Sequence, residues 1–182
     1  MPLLPREIDI LPADLFTLAA GDFPWGVAHV RSRQEKVLAR HLAESGVPFY
    51  LPLTETKRRS GGRTLTSHLP LFPGYVFHRA PTTQRDLLWR SNVVANLIDV
   101  ADQHELGAEL AQLRQLQLAG ASLKTYHELA PGQPVHIESG PFAGYHGVVV
   151  RGKGHDRLIV QISLLRQAVS VEFDREVLRR VR

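Results

Sequence analysis

The last third of the chain contains short β-branched runs that recur about every ten residues and are separated by glycine-rich turns. The runs are Val135–Ile137, Val148–Val150, Leu158–Ile162 and Val169–Phe173. β-branched and aromatic residues favour extended backbone, whereas glycine clusters favour turns. Short strands at this spacing are typical of a small antiparallel barrel, so the pattern predicts an all-β domain without helices at the carboxyl end.

Residues 23–119 have a different pattern, in which amphipathic helices alternate with strands. The predicted order is strand Trp25–Val30, helix Gln34–Ser45, strand Phe49–Leu53, a basic hairpin at Lys57–Arg63, strand Leu71–Phe77, a short helix from Thr83 to Trp89, strand Val93–Val100 and a helix ending near Gly120. Several strands are joined by short loops rather than crossover helices, so the sheet should be largely antiparallel. The predicted fold class is α+β, an antiparallel sheet flanked by helices and followed by a small all-β barrel.

Two segments outside these patterns set the predicted domain boundaries. Residues 1–22 contain three prolines and one arginine against four acidic residues, so we expect an acidic, mobile extension with little function. Residues 120–130 mix small and polar residues without an apolar stripe, which suits a flexible linker. The prediction is an extension over 1–22, a domain over 23–119, a linker over 120–130 and an independently folding barrel over 131–182.

The residues that common active sites need are missing or scattered. The chain has no cysteine and nine dispersed histidines, which removes thiolate chemistry and the usual zinc-ligand patterns. The stretch Gly147–Lys153 resembles a phosphate-binding loop, but Gly154 stands where a hydroxyl would hold magnesium, and the intervening valines predict a strand. We therefore expect no enzyme activity, no catalytic residues, no cofactor and no metal.

Charge and hydropathy limit where the protein can be located and which partners it can have. No stretch approaches the roughly 18 apolar residues that cross a bilayer, and the first residues do not resemble a secretory signal. We expect a cytoplasmic monomer without membrane contact. Net charges of +4 over residues 23–116 and +3 over residues 131–182 are compatible with binding to phosphates. Such charges are equally common on surfaces without a nucleic-acid partner.

A glycine-rich motif lies between the first two runs of the predicted barrel. Gly140-Pro-Phe-Ala-Gly144-Tyr-His-Gly147-Val closely resembles the KOW motif, in which glycines form tight corners of an SH3-like barrel. KOW modules also occur in ribosomal proteins, so this motif alone leaves the function open.

Residues 23–119, which precede this motif, resolve the question of function that the KOW motif leaves open. Trp25, the helix that begins at Gln34, the hairpin ending in Pro70-Leu-Phe-Pro-Gly-Tyr-Val-Phe77, and Arg90-Ser-Asn-Val-Val94 resemble the N-terminal domain, or NGN domain, of the NusG family of transcription elongation factors. Together with the KOW motif, the resemblance covers residues 23–182 in the expected order.

The resemblance implies a non-enzymatic transcription elongation and antitermination factor. Its NGN domain would bind the clamp helices of RNA polymerase and meet non-template DNA in the elongation complex, promoting processive elongation. Its KOW domain would recruit further partners, among them a small-subunit ribosomal protein or the termination factor Rho. The alternative is an RNA-binding or ribosome-associated KOW protein that acts without polymerase, which the basic charge and the barrel would also fit.

Several features favour a specialised, RfaH-like paralogue over the housekeeping factor. Pro70-Leu71 resembles the RfaH branch. Gly26 stands where the family usually has an aromatic residue, and residues 164–167 replace an aromatic residue followed by Gly-Arg. We therefore expect weak ribosomal-protein binding and reduced or absent Rho binding, and a barrel that stays β-sheet rather than adopting the helical state known in the RfaH branch.

The same resemblance implies three groups of site residues. The polymerase-binding residues would be Trp25, Phe72, Pro73, Tyr75 and Phe77, with Tyr75 and Phe77 on one face of their strand; the alternative is that these aromatic residues are simply core. The nucleic-acid-binding residues would be Arg31, Arg33, His41, Lys57, Arg58, Arg59 and Arg63. The KOW partner-binding residues would be Leu164, Leu165 and Arg166, at a corner where at least one leucine should be exposed.

Overall fold

A computed structural model of the chain describes residues 7–19, 21, 23–126, 133–136, 144, 146–151 and 156–173. The chain divides into two compact units, Met1–Gln103 and His104–Arg182.

The first unit is built on a five-stranded antiparallel sheet. Its elements are β1 (Ile10–Leu11), β2 (Gly26–Val30), α1 (Glu35–Glu44), β3 (Phe49–Tyr50), β4 (Leu53–Ser60), β5 (Arg63–Pro70), β6 (Tyr75–His78), α2 (Arg85–Arg90) and β7 (Val94–Asp99). The sheet order is β1-β3-β6-β2-β7, with β6 at the centre. Ala28 pairs with Val76 and Val27 pairs with Phe77, so the two pairs point to opposite faces of the sheet. The predicted antiparallel α+β class is confirmed.

Helix α1 covers one face of this sheet. Its apolar side chains Leu38 and Leu42 are fully buried in a core that also contains Val76, and burying each leucine contributes about 2 kcal/mol. The helix stops where the chain turns left-handed at Gly46, φ +67°. The Val47 amide then donates to the Leu42 carbonyl at 2.9 Å, the bond of a Schellman cap. The helix predicted from the spacing of apolar residues is therefore confirmed.

Strands β4 and β5 form a separate two-stranded hairpin. Eight residue pairs run from Leu53 opposite Pro70 to Ser60 opposite Arg63. Gly61 and Gly62 both have positive φ, +55° and +75°, which is the combination that a tight two-residue hairpin turn requires. The predicted basic hairpin is confirmed.

The N-terminal extension belongs to the first unit instead of forming a mobile tail. Strand β1 pairs with β3 at the sheet edge. Leu15 is fully buried, and the Phe16 ring packs against Trp25 and Tyr50 at centroid distances of 5.7 and 5.4 Å. The expectation of mobility was wrong for residues 7–19, because these apolar side chains have tertiary partners far away in the sequence.

A buried arginine holds the extension in place. The Arg79 guanidinium donates from Nε to the Phe23 carbonyl at 2.7 Å and from Nη1 to the Leu15 and Leu18 carbonyls, each at 2.9 Å. Its Nη2 donates to the Ala19 carbonyl at 3.1 Å. The planar guanidinium presents several donors in fixed directions, so one side chain satisfies four backbone carbonyls that have no place in a sheet.

The close packing of β2 on β6 explains the unusual glycine at position 26. A Cβ atom at Gly26 would lie against the His78 imidazole, at 2.7 Å from its Nε2. The His78 ring is almost completely buried, and its Nδ1 accepts a hydrogen bond from the Ala80 amide at 3.2 Å. The ring occupies the space that a side chain at position 26 would need.

Gly26→Ala should therefore lower the free energy of unfolding by about 1–3 kcal/mol through overpacking. Urea denaturation followed by tryptophan fluorescence measures this directly, since both tryptophans, Trp25 and Trp89, lie in the first unit. Combining the substitution with His78→Ser should recover part of the stability. Equal stability of Gly26→Ala and the native chain would contradict this packing argument.

The second unit carries a helix and an all-β sheet. It begins within α3 (Gln103–Leu118) and continues with β8 (Leu123–Tyr126), β9 (Gln133–His136), β10 (His146–Arg151), β11 (Asp156–Ile162) and β12 (Gln167–Phe173). The five strands form an antiparallel sheet in the order β8-β12-β11-β10-β9. The predicted small all-β region is confirmed, and its strands agree with the expectation of β-sheet rather than helix. Most of the KOW glycine loop, residues 137–143 and 145, lies outside the described residues.

Part of the expected linker is a strand. Leu123–Tyr126 pairs with β12, Leu123 is buried, and the segment forms one edge of the second sheet. The sequence concealed this strand because a four-residue edge strand needs only one apolar side chain on its inner face. The remaining domain boundaries stay predictions.

Candidate functional site

Three of the predicted polymerase-binding side chains lie in the interior. Phe72, Phe77 and Trp25 are 1%, 0% and 7% exposed. Phe72 and Phe77 meet edge to face at 5.8 Å, and Trp25 is covered by Phe16. The structure therefore places these three side chains beneath the surface, so they do not form an accessible contact surface.

Tyr75 and Pro73 are the accessible members of that group. Pro73 is exposed, and Tyr75 is half-buried at the start of β6. The Tyr75 ring packs against the ring of exposed His29 on the neighbouring strand, at a centroid distance of 5.1 Å. Tyr75 and Phe77 share one face of the sheet, as their alternation predicts, and Tyr75 and His29 are accessible on this face together with exposed Asn96, which pairs with His29.

The turn that presents Tyr75 is fixed by buried hydrogen bonds. Gly74 has φ +86°, and its amide donates to the Glu35 carboxylate at 2.6 Å. Its carbonyl accepts from the Val30 amide at 2.8 Å. The Glu35 side chain, only 5% exposed, thus links the beginning of α1 to this turn. A carboxylate that accepts a short hydrogen bond from a backbone amide is a strong constraint, so this contact restrains the conformation of the turn.

Sequence reasoning missed the role of Glu35. The available signal was an acidic residue in the first turn of a helix, where the helix dipole already favours a negative charge. That local explanation concealed the long-range contact with Gly74.

The loop after β2 brings two of the predicted cations beside a second basic element. Arg31 and Arg33 are exposed, and Arg33 has φ +62°. The Arg31 amide donates to the Val93 carbonyl at 2.9 Å, which places this loop next to the turn that follows α2. Arg90 and Trp89, 46% exposed, lie at the end of that helix. The available signal in the sequence was Trp89-Arg90, a tryptophan followed by an arginine. The predicted nucleic-acid-binding residues did not include this pair.

His41 makes a different contact from the predicted one. Its Nε2 lies 2.7 Å from the Leu87 carbonyl oxygen, so this nitrogen donates and the ring ties α1 to α2. A nucleic acid could bond only to the other ring nitrogen, Nδ1.

The hairpin cations do not act as one cluster. Lys57 forms an ion pair with Glu55 at 3.1 Å. Arg58 and Arg59 are exposed and point to opposite faces of the hairpin, since they are adjacent in β4. The backbone of Arg63 lies beside the turn, and its side chain is outside the part of the chain that the structure describes.

The predicted KOW corner is a 3₁₀ turn, Ser163–Leu165, followed by Arg166 at φ +50°. Leu164 is 36% exposed, whereas Leu165 is half-buried, so the expectation that at least one leucine is exposed is confirmed. Glu109 of α3 accepts hydrogen bonds from the Ser163 amide at 3.1 Å and from its hydroxyl at 2.5 Å. Arg166 therefore has the left-handed backbone conformation that glycine adopts most readily.

Within the described residues, no three His, Asp or Glu side chains are grouped closely enough to hold a metal ion. No helix in the same ranges is long and apolar enough to cross a membrane.

The chain is similar to known proteins of one family in both sequence and fold. A family model described as transcription termination factor NusG matches residues 23–115, just over half of the chain. The transcription termination/antitermination protein NusG of Escherichia coli and that of Salmonella typhi are each 26% identical over 152 residues, covering 79% of this chain and 83% of the relative. NusG of Thermotoga maritima has the same fold, with a TM-score of 0.53 at 19% identity, covering 90% of this chain and 100% of that one.

The fold, the matched segment and these relatives define a transcription termination/antitermination factor, a class of proteins that are not enzymes. The chain belongs to the NusG family.

Proposed function

We propose that this protein is a cytoplasmic transcription elongation and antitermination factor that binds RNA polymerase through its first unit and recruits a partner through its second. The turn formed by Phe72–Tyr75 carries the proposal. Glu35 and Val30 restrain this turn, and it presents Pro73, Tyr75 and His29 at the surface. A pre-formed aromatic contact loses little entropy on binding, which is typical of the centre of a protein interface.

Co-purification with core RNA polymerase tests this function. A factor that binds the clamp helices is retained by core polymerase in the absence of nucleic acid. The alternative, a KOW protein that acts on RNA or the ribosome without polymerase, is retained by ribosomes or RNA alone.

Tyr75→Ala should weaken binding to core polymerase about 30-fold, equivalent to about 2 kcal/mol. Tyr75 is only half-buried, so the variant should keep its fold. Fluorescence anisotropy with labelled protein measures the affinity. Leu118→Ala is the control, because Leu118 is an apolar residue that is 65% exposed and belongs to α3 of the second unit. If Tyr75→Ala binds core polymerase with native affinity, Tyr75 is not part of the interface. Phe77→Ala is unsuitable for this test, because removal of a fully buried ring would unfold the unit.

We further propose that the loop with Arg31 and Arg33, together with Arg90, contacts non-template DNA. Arg31 and Arg33 lie on a loop that the Arg31–Val93 hydrogen bond joins to the turn after α2, and Arg90 is the last residue of α2. Trp89, next to Arg90, has an exposed ring on which a base could stack.

Replacing Arg31, Arg33 and Arg90 with glutamine should lower the salt dependence of binding to an elongation complex. Removing one cation from a phosphate reduces the slope of log affinity against log salt concentration by about one. Affinity titrations at several salt concentrations give this slope. Arg40→Gln is the matched control, because Arg40 is an exposed cation already paired with Glu7 at 3.1 Å. An unchanged slope in the triple variant would place the DNA elsewhere.

We propose the corner at Leu164, Leu165 and Arg166 as the contact for a small-subunit ribosomal protein. Exposed Leu164 is a small apolar anchor. The bulky charge of Arg166 at a position suited to glycine would hinder close packing by Rho, and this supports a specialised member of the family.

A further inference from the structure

The hairpin formed by β4 and β5 has two chemically different faces. Residues opposite each other in an antiparallel pair share a face, and successive residues alternate. Arg58 lies opposite Leu65, Thr56 opposite Ser67 and Thr54 opposite Leu69. One face therefore carries both leucines together with Arg58, and the register also assigns Arg63, opposite Ser60 at the turn, to it; we call it the leucine face.

The opposite face is polar beyond the Leu53–Pro70 pair at the base of the hairpin. It carries Glu55, Lys57 and Arg59 on β4 and Thr64, Thr66 and His68 on β5. Lys57 and Glu55 already form an ion pair on this face. Arg59 is a further exposed cation on this face.

The leucine face is unusually exposed for apolar side chains on a sheet. Leu65 and Leu69 are 53% and 48% accessible. They are four residues apart on one strand, a separation of about 13 Å. A two-stranded hairpin is marginally stable in water unless another surface covers it, and β-strands of eight residues extend about 27 Å. A partner that covers both leucines would therefore also make the hairpin rigid.

The root of the hairpin lies at the proposed docking turn. The Leu71 amide donates to the Pro52 carbonyl at 2.8 Å, which closes the base of the hairpin. Only four residues separate Pro70, the end of β5, from Tyr75 at the start of β6. A protein docked on Tyr75 is thus within reach of the hairpin, and Arg58 on the leucine face offers a charge to a carboxylate of that protein.

We propose that the leucine face is a second protein-binding surface, which docks on an apolar surface of RNA polymerase that carries a carboxylate facing Arg58. This inference rests on the proposed polymerase-binding function and adds a contact separate from Tyr75. Two exposed leucines about 13 Å apart match a protein surface, since nucleic acid offers phosphates and sugars rather than apolar pockets at this spacing.

The test compares substitutions on the two faces in the full-length protein. Leu65→Ser with Leu69→Ser should weaken binding to core polymerase, without nucleic acid, about tenfold. Thr66→Ala with His68→Ala, at neighbouring positions on the opposite face, should bind core polymerase like the native protein. Arg58→Glu should weaken binding while keeping both leucines, and Arg58→Lys should restore most of it. Circular dichroism and tryptophan fluorescence confirm that each variant is folded.

Four outcomes would overturn the inference. Native affinity of the double leucine variant, in a protein whose Tyr75→Ala variant binds weakly, would reject the leucine face and leave the proposed function intact. A decrease seen only when nucleic acid is present would assign this face to nucleic acid. A native dimer in sedimentation that the leucine variant abolishes would assign it to a second copy. Failure of the native protein to bind core polymerase would reject the proposed function and this inference with it.

Discussion

Arg79→Met should lower the free energy of unfolding of the first unit by about 3–5 kcal/mol. Arg79 is 2% exposed and satisfies four backbone carbonyls of residues 15–23. Its guanidinium also lies 5.1 Å from the centre of the Trp25 ring. Burial lowers the pKa of this guanidinium, yet an arginine remains charged in proteins. Hydrogen bonds from a charged donor each contribute about 1.5–3 kcal/mol. The loss of stability is smaller than the sum over the four bonds, because carbonyls that detach from the guanidinium can bond to water.

Urea denaturation followed by fluorescence measures the change in stability, and limited proteolysis reports whether residues 7–19 detach. Arg85→Met is the control, because Arg85 pairs with Asp99 on the exposed surface and should contribute at most about 1 kcal/mol. A variant at position 79 with native stability and a protected extension would show that Leu15 and Phe16 alone hold the segment. Release of the extension without global unfolding would show that the sheet is stable without it.

Lowering the pH from 6.5 to 4 should remove about 3 kcal/mol of stability through His78. Burial is the larger cause that lowers the pKa of His78 from 6.5 to about 4, and the positive charge of Arg85 is the smaller one. The unfolded chain then binds a proton that the folded protein excludes, so stability falls as pH falls through this interval. The contribution is complete above pH 6.5 and lost at about pH 4.

The measurement is a series of urea denaturation curves between pH 7.5 and 4. His78→Gln cannot titrate, so its stability should depend less on pH in this interval than that of the native protein. His29→Gln, at an exposed position on the neighbouring strand β2, is the matched substitution with which the His78→Gln profile is compared. Parallel pH profiles for the native protein and His78→Gln would show that the buried imidazole does not cause the acid sensitivity.

The elements with strong periodicity were predictable from the sequence. The stripe of Leu38 and Leu42 specifies the buried face of α1, and the β-branched runs specify β10, β11 and β12. Glycine supplied the hairpin turn at Gly61 and Gly62, since only positive φ closes it. In each case, the residues within the element are sufficient to explain why it forms.

The candidate site was predictable only as a motif. The sequence indicated Phe72, Pro73, Tyr75 and Phe77 together, because alternation cannot tell a buried face from an accessible one when both faces of a strand are apolar. Burial separates Phe72 and Phe77 from Tyr75. Leu65 and Leu69 had no such local explanation, and only the register of the hairpin places them together with Arg58.

The sequence by itself determined the order of helices and strands between residues 25 and 118, the α+β and all-β division and the membership of the NusG family, because local propensity and motif spacing carry that information. Only the tertiary structure decided that the N-terminal extension is part of the first unit. Arg79 lies 64 residues after Leu15, whose backbone carbonyl oxygen accepts one of its hydrogen bonds. No local pattern encodes a hydrogen bond between a side chain and a distant backbone, since the acceptor is the same for every residue type.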